Sequence, residues 1–107
     1  MNKYSDVYKV VEILEEQDAQ QLAELFSAFS DPSRLRIISA LKDSEMNVGA
    51  ISEITGLSES ATSHQLRGLR QLRLVRTRKE GRQVFYSLDD EHVKALYDLG
   101  LNHILHG

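Results

Sequence analysis

Asp90, His92, His103 and His106 supply one carboxylate and three imidazoles, the donor types that bind divalent transition metals. Three nitrogens and one oxygen suit tetrahedral zinc. All four fall in "DDEHVKALYDLGLNHILHG", residues 89–107, which also holds three of the chain's four histidines. The stretch reads as one helix capped by Asp89 or Asp90. On a helix each residue turns about 100° and rises about 1.5 Å, so His92 and His103 lie about 20° apart on one face, with His106 about 60° from His103 on that same face. Along the axis, however, His92 and His103 stand roughly 16 Å apart. A zinc–nitrogen bond is about 2 Å, so one ion cannot bridge them within a straight helix. Two copies of the helix, antiparallel across a two-fold axis near Tyr97 and Asp98, bring Asp90 and His92 of one chain to His103 and His106 of the other, at both ends. Leu96 and Leu99 then form the apolar seam, while Val93, Tyr97, Gly100, Leu101 and Ile104 turn toward the chain's own core. The competing reading is a surface helix with incidental histidines.

A second chemistry is polyanion binding. The net charge of −3 argues against nucleic acid, but its distribution does not. Residues 64–82 carry Arg67, Arg70, Arg73, Arg76, Arg78, Lys79 and Arg82 against Glu80, net +6, while residues 1–31 are net −5. A basic stripe in an acidic chain is the footprint of a polyanion partner, although such runs also serve as solvated faces. Around it, "NVGAISEIT" (47–55) predicts a short helix with Val48, Ile51 and Ile54 buried. Gly56-Leu57-Ser58 is a turn, Ser58 an N-cap, and 59–72 a second helix with Leu66, Leu69 and Leu72 on one side. This is the helix-turn-helix plan, whose second helix enters the major groove. Glu59, Ser60, Ser63, His64, Gln65 and Arg67 are its candidate DNA contacts. The period then becomes alternating, and "LVRTRKEGRQVFYSL" predicts a hairpin turning at Lys79-Glu80-Gly81-Arg82. Arg78, Lys79 and Arg82 near its tip suit phosphate contacts, which position more than they specify. Arg70, Arg73 and Arg76 have weaker claims.

The remaining elements position these two sites. Val7, Val10, Val11 and Leu14 predict a helix after Ser5. Asp18 and Gln21 resemble a capping box opening a helix with a stripe of Leu22, Leu25, Phe26 and Phe29. Asp31 caps and Pro32 begins the next helix, buried through Leu35, Ile37, Ile38 and Leu41. The expected fold is mainly α with a small β-hairpin, a winged helix-turn-helix. Residues 1–17 form a helical extension of the dimer, and 18–107 the winged domain with its metal-binding dimer helix.

At 107 residues the chain has one domain's length, and so short a chain gains support from pairing with a second copy. Zero cysteine excludes disulfides, thiolate catalysis and thiolate metal sites. There is no apolar run long enough for a bilayer and no secretory signal, so no membrane partner is expected and the cytoplasm is the expected location.

The chain resembles the metal-sensing ArsR/SmtB family of winged-helix repressors. "ELFSAFSDPSRLRIISAL" and "LSESATSHQLRGLRQLRLV" are similar to its second-helix opening and recognition helix, and "RKEGRQVFYSL" to its wing. Asp90, His92, His103 and His106 match its terminal-helix pattern. The resemblance covers roughly residues 18–107. It implies an obligate homodimer that binds operator DNA when metal-free and releases it on binding Zn(II), or Co(II) or Ni(II), at genes for metal efflux or sequestration. Two departures stand out. No cysteine is present for cadmium, lead or arsenic, and Glu59 stands where a neutral Gln is frequent, which leaves the operator sequence open. Rival readings are a regulator with a structural zinc site and another effector, and a zinc hydrolase. The hydrolase is disfavoured because protein donors fill all four positions, leaving none for water.

Overall fold

The computed structural model describes residues 12–107. Its element order is α1 (Glu16–Ala28), α2 (Pro32–Leu41), α3 (Val48–Thr55), α4 (Glu59–Gln71), β1 (Val75–Glu80), β2 (Gln83–Leu88) and α5 (Glu91–His106). The five helices and one antiparallel hairpin are the winged helix-turn-helix expected from the periodicity. The helix expected after Ser5 lies mostly outside the described residues; Leu14, its last expected member, is exposed in an irregular segment.

Local chemistry sets most boundaries. Asp31 accepts from the Arg34 N–H at 3.0 Å, with Pro32 at the first helical position. Asn47 accepts from Ala50 at 2.8 Å, and Ser58 from Ala61 at 3.0 Å. Each satisfies a helix N–H that has no partner within the helix. Gly56 ends α3 at φ +78°, a left-handed conformation that costs glycine least. The expected capping box at Asp18 is not formed. α1 begins at Glu16, its cap residue Glu15 makes no side-chain bond, and Asp18 lies inside the first turn. An acid there still interacts favourably with the helix dipole, which explains the pattern without a cap.

The end of α4 is a Schellman motif. Leu74 N–H donates to Leu69 O at 2.9 Å and Arg73 N–H to Arg70 O at 3.0 Å. Arg73 occupies the position where glycine is usual, at φ +59°. β1 and β2 then pair from Val75↔Leu88 to Glu80↔Gln83, which leaves Gly81-Arg82 as a two-residue turn. Gly81 has φ +62°, as such a turn requires of its first residue. Met46 forms an isolated antiparallel bridge on the other edge of β2, exchanging backbone bonds of 3.0 and 2.8 Å with Tyr86.

The core joins α2 (Ile37, Ile38, Leu41), α3 (Ile51), α4 (Leu66, Leu69), Leu74, Val75 and Val93 of α5. Three burial expectations are corrected. Ile54 is 62% exposed, and Thr55 takes its place on the inner face of α3, its hydroxyl satisfied by Ile51 O at 2.7 Å. Leu101 and Ile104 do not enter the chain's own core. α5 reaches beyond the domain it packs on, so Val93 is buried, Tyr97 is half-buried, and Ile104 is 79% exposed. Leu22 and Phe26 of the α1 stripe are also uncovered, whereas Leu25 and Phe29 pack on the core.

Candidate DNA interface and metal half-sites

α4 turns Thr62, Leu66 and Leu69 inward. Ser60, His64 and Arg67 are consequently exposed on the opposite side, and Ser63 is half-buried beside them. These small and polar groups leave the outer face of the helix open to a groove. Glu59 is turned back over α3, its Oε1 3.4 Å from where a Cβ on Gly49 would stand. Glu59 itself remains exposed. Gln65 lies on the flank, where its Oε1 accepts from Arg34 Nε at 2.7 Å. Arg34 was not legible as a site residue, because its partner stands 31 positions away and no local pattern links them.

The wing is braced against the α2–α3 loop. Arg78 Nε donates to Glu45 at 3.2 Å, and Nη1 to Glu80 at 2.8 Å. The guanidinium also lies 4.9 Å from the Phe85 ring centre. Its hydrogen bond holds the Glu45 carboxyl below the usual range, and both carboxylates push Arg78 further up. Asn47 Nδ2 donates to Gln83 Oε1 at 3.0 Å, so the cap of α3 also holds the wing. Arg78 is thus committed within the chain, while Lys79 and Arg82 at the tip are exposed. The three expected wing cations are therefore not equivalent.

On α5, Asp90 is the N-cap. Its Oδ1 accepts from the His92 and Val93 N–H groups at 2.9 and 3.3 Å. Its Oδ2 remains 3.3 Å from His92 Nδ1, and the His92 side chain is 91% exposed. The hydrogen bond to His92, followed by those to the backbone, lowers the Asp90 pKa. One carboxylate thus starts the helix with one oxygen and presents the other beside an open imidazole. That donor pair fits half of a tetrahedral zinc site. His103 and His106 are exposed one turn apart at the far end. Among the described residues, no three His, Cys, Asp or Glu side chains gather as a metal site.

Alongside α5, where it passes α1 and α2, runs an apolar groove of about 510 Å³, lined by Phe26, Phe29, Leu35, Leu96, Leu101 and Ile104 among others. Leu99, 68% exposed, stands on the outer side of the same helix.

Residues 31–77, from the cap of α2 through α4 to the first residues of β1, match the model of the bacterial regulatory protein, arsR family. A transcriptional repressor SmtB homolog of a Synechocystis strain is 50% identical over 93 residues, covering 87% of this chain and 70% of that protein. A cadmium resistance transcriptional regulatory protein CadC homolog of Staphylococcus aureus is 40% identical over 91 residues, covering 84% and 75%. Among solved structures, a homodimeric winged helix-turn-helix DNA-binding domain from Mycobacterium bovis, a possible ArsR-family regulator, superposes with TM-score 0.73. It is 29% identical, with 86% of this chain and 87% of that one covered. With 87% of its length aligned at 50% identity to the SmtB homolog, the chain belongs to the arsR family of bacterial regulatory proteins and is a transcriptional regulator, not an enzyme.

Proposed function

We propose that this regulator is a metal-responsive repressor of the cytoplasm. As a metal-free homodimer it holds operator DNA, and Zn(II), with Co(II) or Ni(II) as substitutes, releases it to express metal efflux or sequestration genes. The observation that carries this reading is the arrangement of α5: an Asp90–His92 donor pair at its start, His103 and His106 at its end, and an uncovered apolar groove alongside. A second copy laid antiparallel would cover the groove and complete two sites. The kinship with a cadmium resistance regulator supports a metal as effector, and the homodimeric relative supports the pairing.

On the DNA side, Ser60, Ser63, His64, Gln65 and Arg67 would face the major groove, with Lys79 and Arg82 on flanking phosphates and Arg78 bracing the wing. When bound, the metal would tie the two α5 helices together at each end. Asp90 and His92 would hold their half of the site rigidly, because the same carboxylate fixes the helix start. Release follows by linkage if this tied state separates the two recognition helices by a distance unsuited to DNA.

The test is operator binding, followed by fluorescence anisotropy with and without zinc. The expected result is tight binding by the metal-free dimer and a loss of at least tenfold on adding zinc. Unchanged affinity at saturating zinc would leave a regulator with another effector. A metal-free protein that is unfolded or monomeric would mark the metal as structural.

A further inference from the structure

Gln65 is tied to another helix through one end of its amide only. Arginine carries donors and no acceptor, so the amide atom that faces Arg34 Nε at 2.7 Å must be the oxygen. Nε2 is thereby turned the other way. Arg34 is itself fixed. Asp31 Oδ2 accepts its backbone N–H at 3.0 Å in the first turn of α2. Its Nη2 lies 3.5 Å from where a Cβ on Gly68 would stand. The guanidinium therefore runs along the flank of α4 formed by Gln65 and Gly68, neighbours at helical spacing.

A free glutamine reads adenine with both ends of its amide, accepting from N6 and donating to N7. Here one lone pair of Oε1 is taken by Arg34, which fixes the amide's orientation and leaves both Nε2 hydrogens free to donate. Acceptors for them exist on guanine, on adenine N7, on thymine O4 and on phosphate. We propose that Arg34 is a positioning residue for DNA recognition: it holds Gln65 as a donor toward an acceptor on the operator duplex. This rests on the reading of α4 as the helix that meets DNA. It places the effect of Arg34 on recognition through Gln65, a residue of another helix.

The test uses the full-length dimer, a duplex selected from random DNA by the unaltered protein, and an unrelated duplex of equal length. Arg34→Met, Gln65→Met and the double variant are compared for affinity, salt dependence and thermal unfolding. Each single change is expected to weaken binding to the selected duplex about tenfold, the scale of one hydrogen bond. The double variant should be no weaker than Gln65→Met, and the salt slope should stay unchanged. Gln65→Glu keeps an oxygen for Arg34 and removes the donor, so it should retain the unfolding temperature and lose preference for the selected duplex. Two results would overturn the proposal. One is unchanged affinity in Gln65→Met with lowered unfolding temperatures in both single variants, which would make the pair a structural tie alone. The other is equal weakening of Arg34→Met on both duplexes with a salt slope smaller by about one, which would make Arg34 itself a phosphate contact. Ser63→Ala combined with His64→Ala separates the two levels: if that variant also binds normally, the placement of α4 has failed, not only the role of Arg34.

Discussion

Tyr97 Oη donates to Ser39 Oγ at 3.0 Å, which fastens α5 to the last turn of α2. Lys94 adds a bond of 3.1 Å to Asp43 just beyond the end of α2. α2 therefore touches α5 at Ser39 and α4 at Arg34, and lies between the two candidate sites. Tyr97→Phe removes the donor while keeping the ring on the core. It should cost about 1 kcal/mol of stability, the usual net worth of such a bond. Urea unfolding measures it, and an unchanged midpoint would show that the bond contributes nothing.

The wing brace should weaken in acid. Arg78 lowers the Glu45 pKa, so the pair contributes fully above the carboxyl's unfolded value. That contribution is lost as pH falls through the lower folded value. An NMR titration of the Arg78 side-chain Nε–H should show a midpoint below the ordinary glutamate value of 4.5, and Glu45→Gln should abolish it. A midpoint at or above 4.5 would mean that the brace does not persist in solution.

Arg73 carries a left-handed backbone at φ +59° in a motif that favours glycine. Arg73→Gly should therefore stabilise the fold by roughly 0.5–1 kcal/mol. Thermal unfolding checks this, and a destabilised variant would show that the arginine side chain outweighs the strain of its backbone.

Ile104 is 79% exposed beside the groove that a second copy would cover. Ile104→Glu should place a charge at that seam in both chains. Sedimentation should show dissociation at protein concentrations where the unaltered chain is dimeric, with the helical signal retained. A variant that stays dimeric would move the interface elsewhere.

Much of this was legible because it is local. Caps at Asp31, Ser58 and Asp90, the glycine turns and the change from helical to alternating period each depend on residues within a few positions. Their chemistry carried the element order and the hairpin. The misread positions depend on distant partners. Ile54 and Ile104 have helical spacing identical to buried neighbours, and only the extent of the packed surface decides that they stay uncovered. The Arg34–Gln65 and Glu45–Arg78 pairs span 31 and 33 positions, so no sequence window contains them. The four residues of the proposed site were legible as types and as an axial separation, and the structure shows which of Asp89 and Asp90 caps α5: Asp90.

The cross-chain site is tested most directly by mixing two half-site variants. One carries Asp90→Ala with His92→Ala, the other His103→Ala with His106→Ala. Neither homodimer holds a complete set of donors, so neither should bind zinc tightly or release DNA in response to it. Each parent's helical signal is recorded first, because Asp90 also caps α5. In the heterodimer one end regains all four donors and the other has none. Calorimetry should then show tight binding restored at one zinc ion per heterodimer, with at least partial zinc-dependent loss of operator affinity. A heterodimer that binds zinc no better than its folded parents would contradict the shared site and, with it, the metal-responsive repressor.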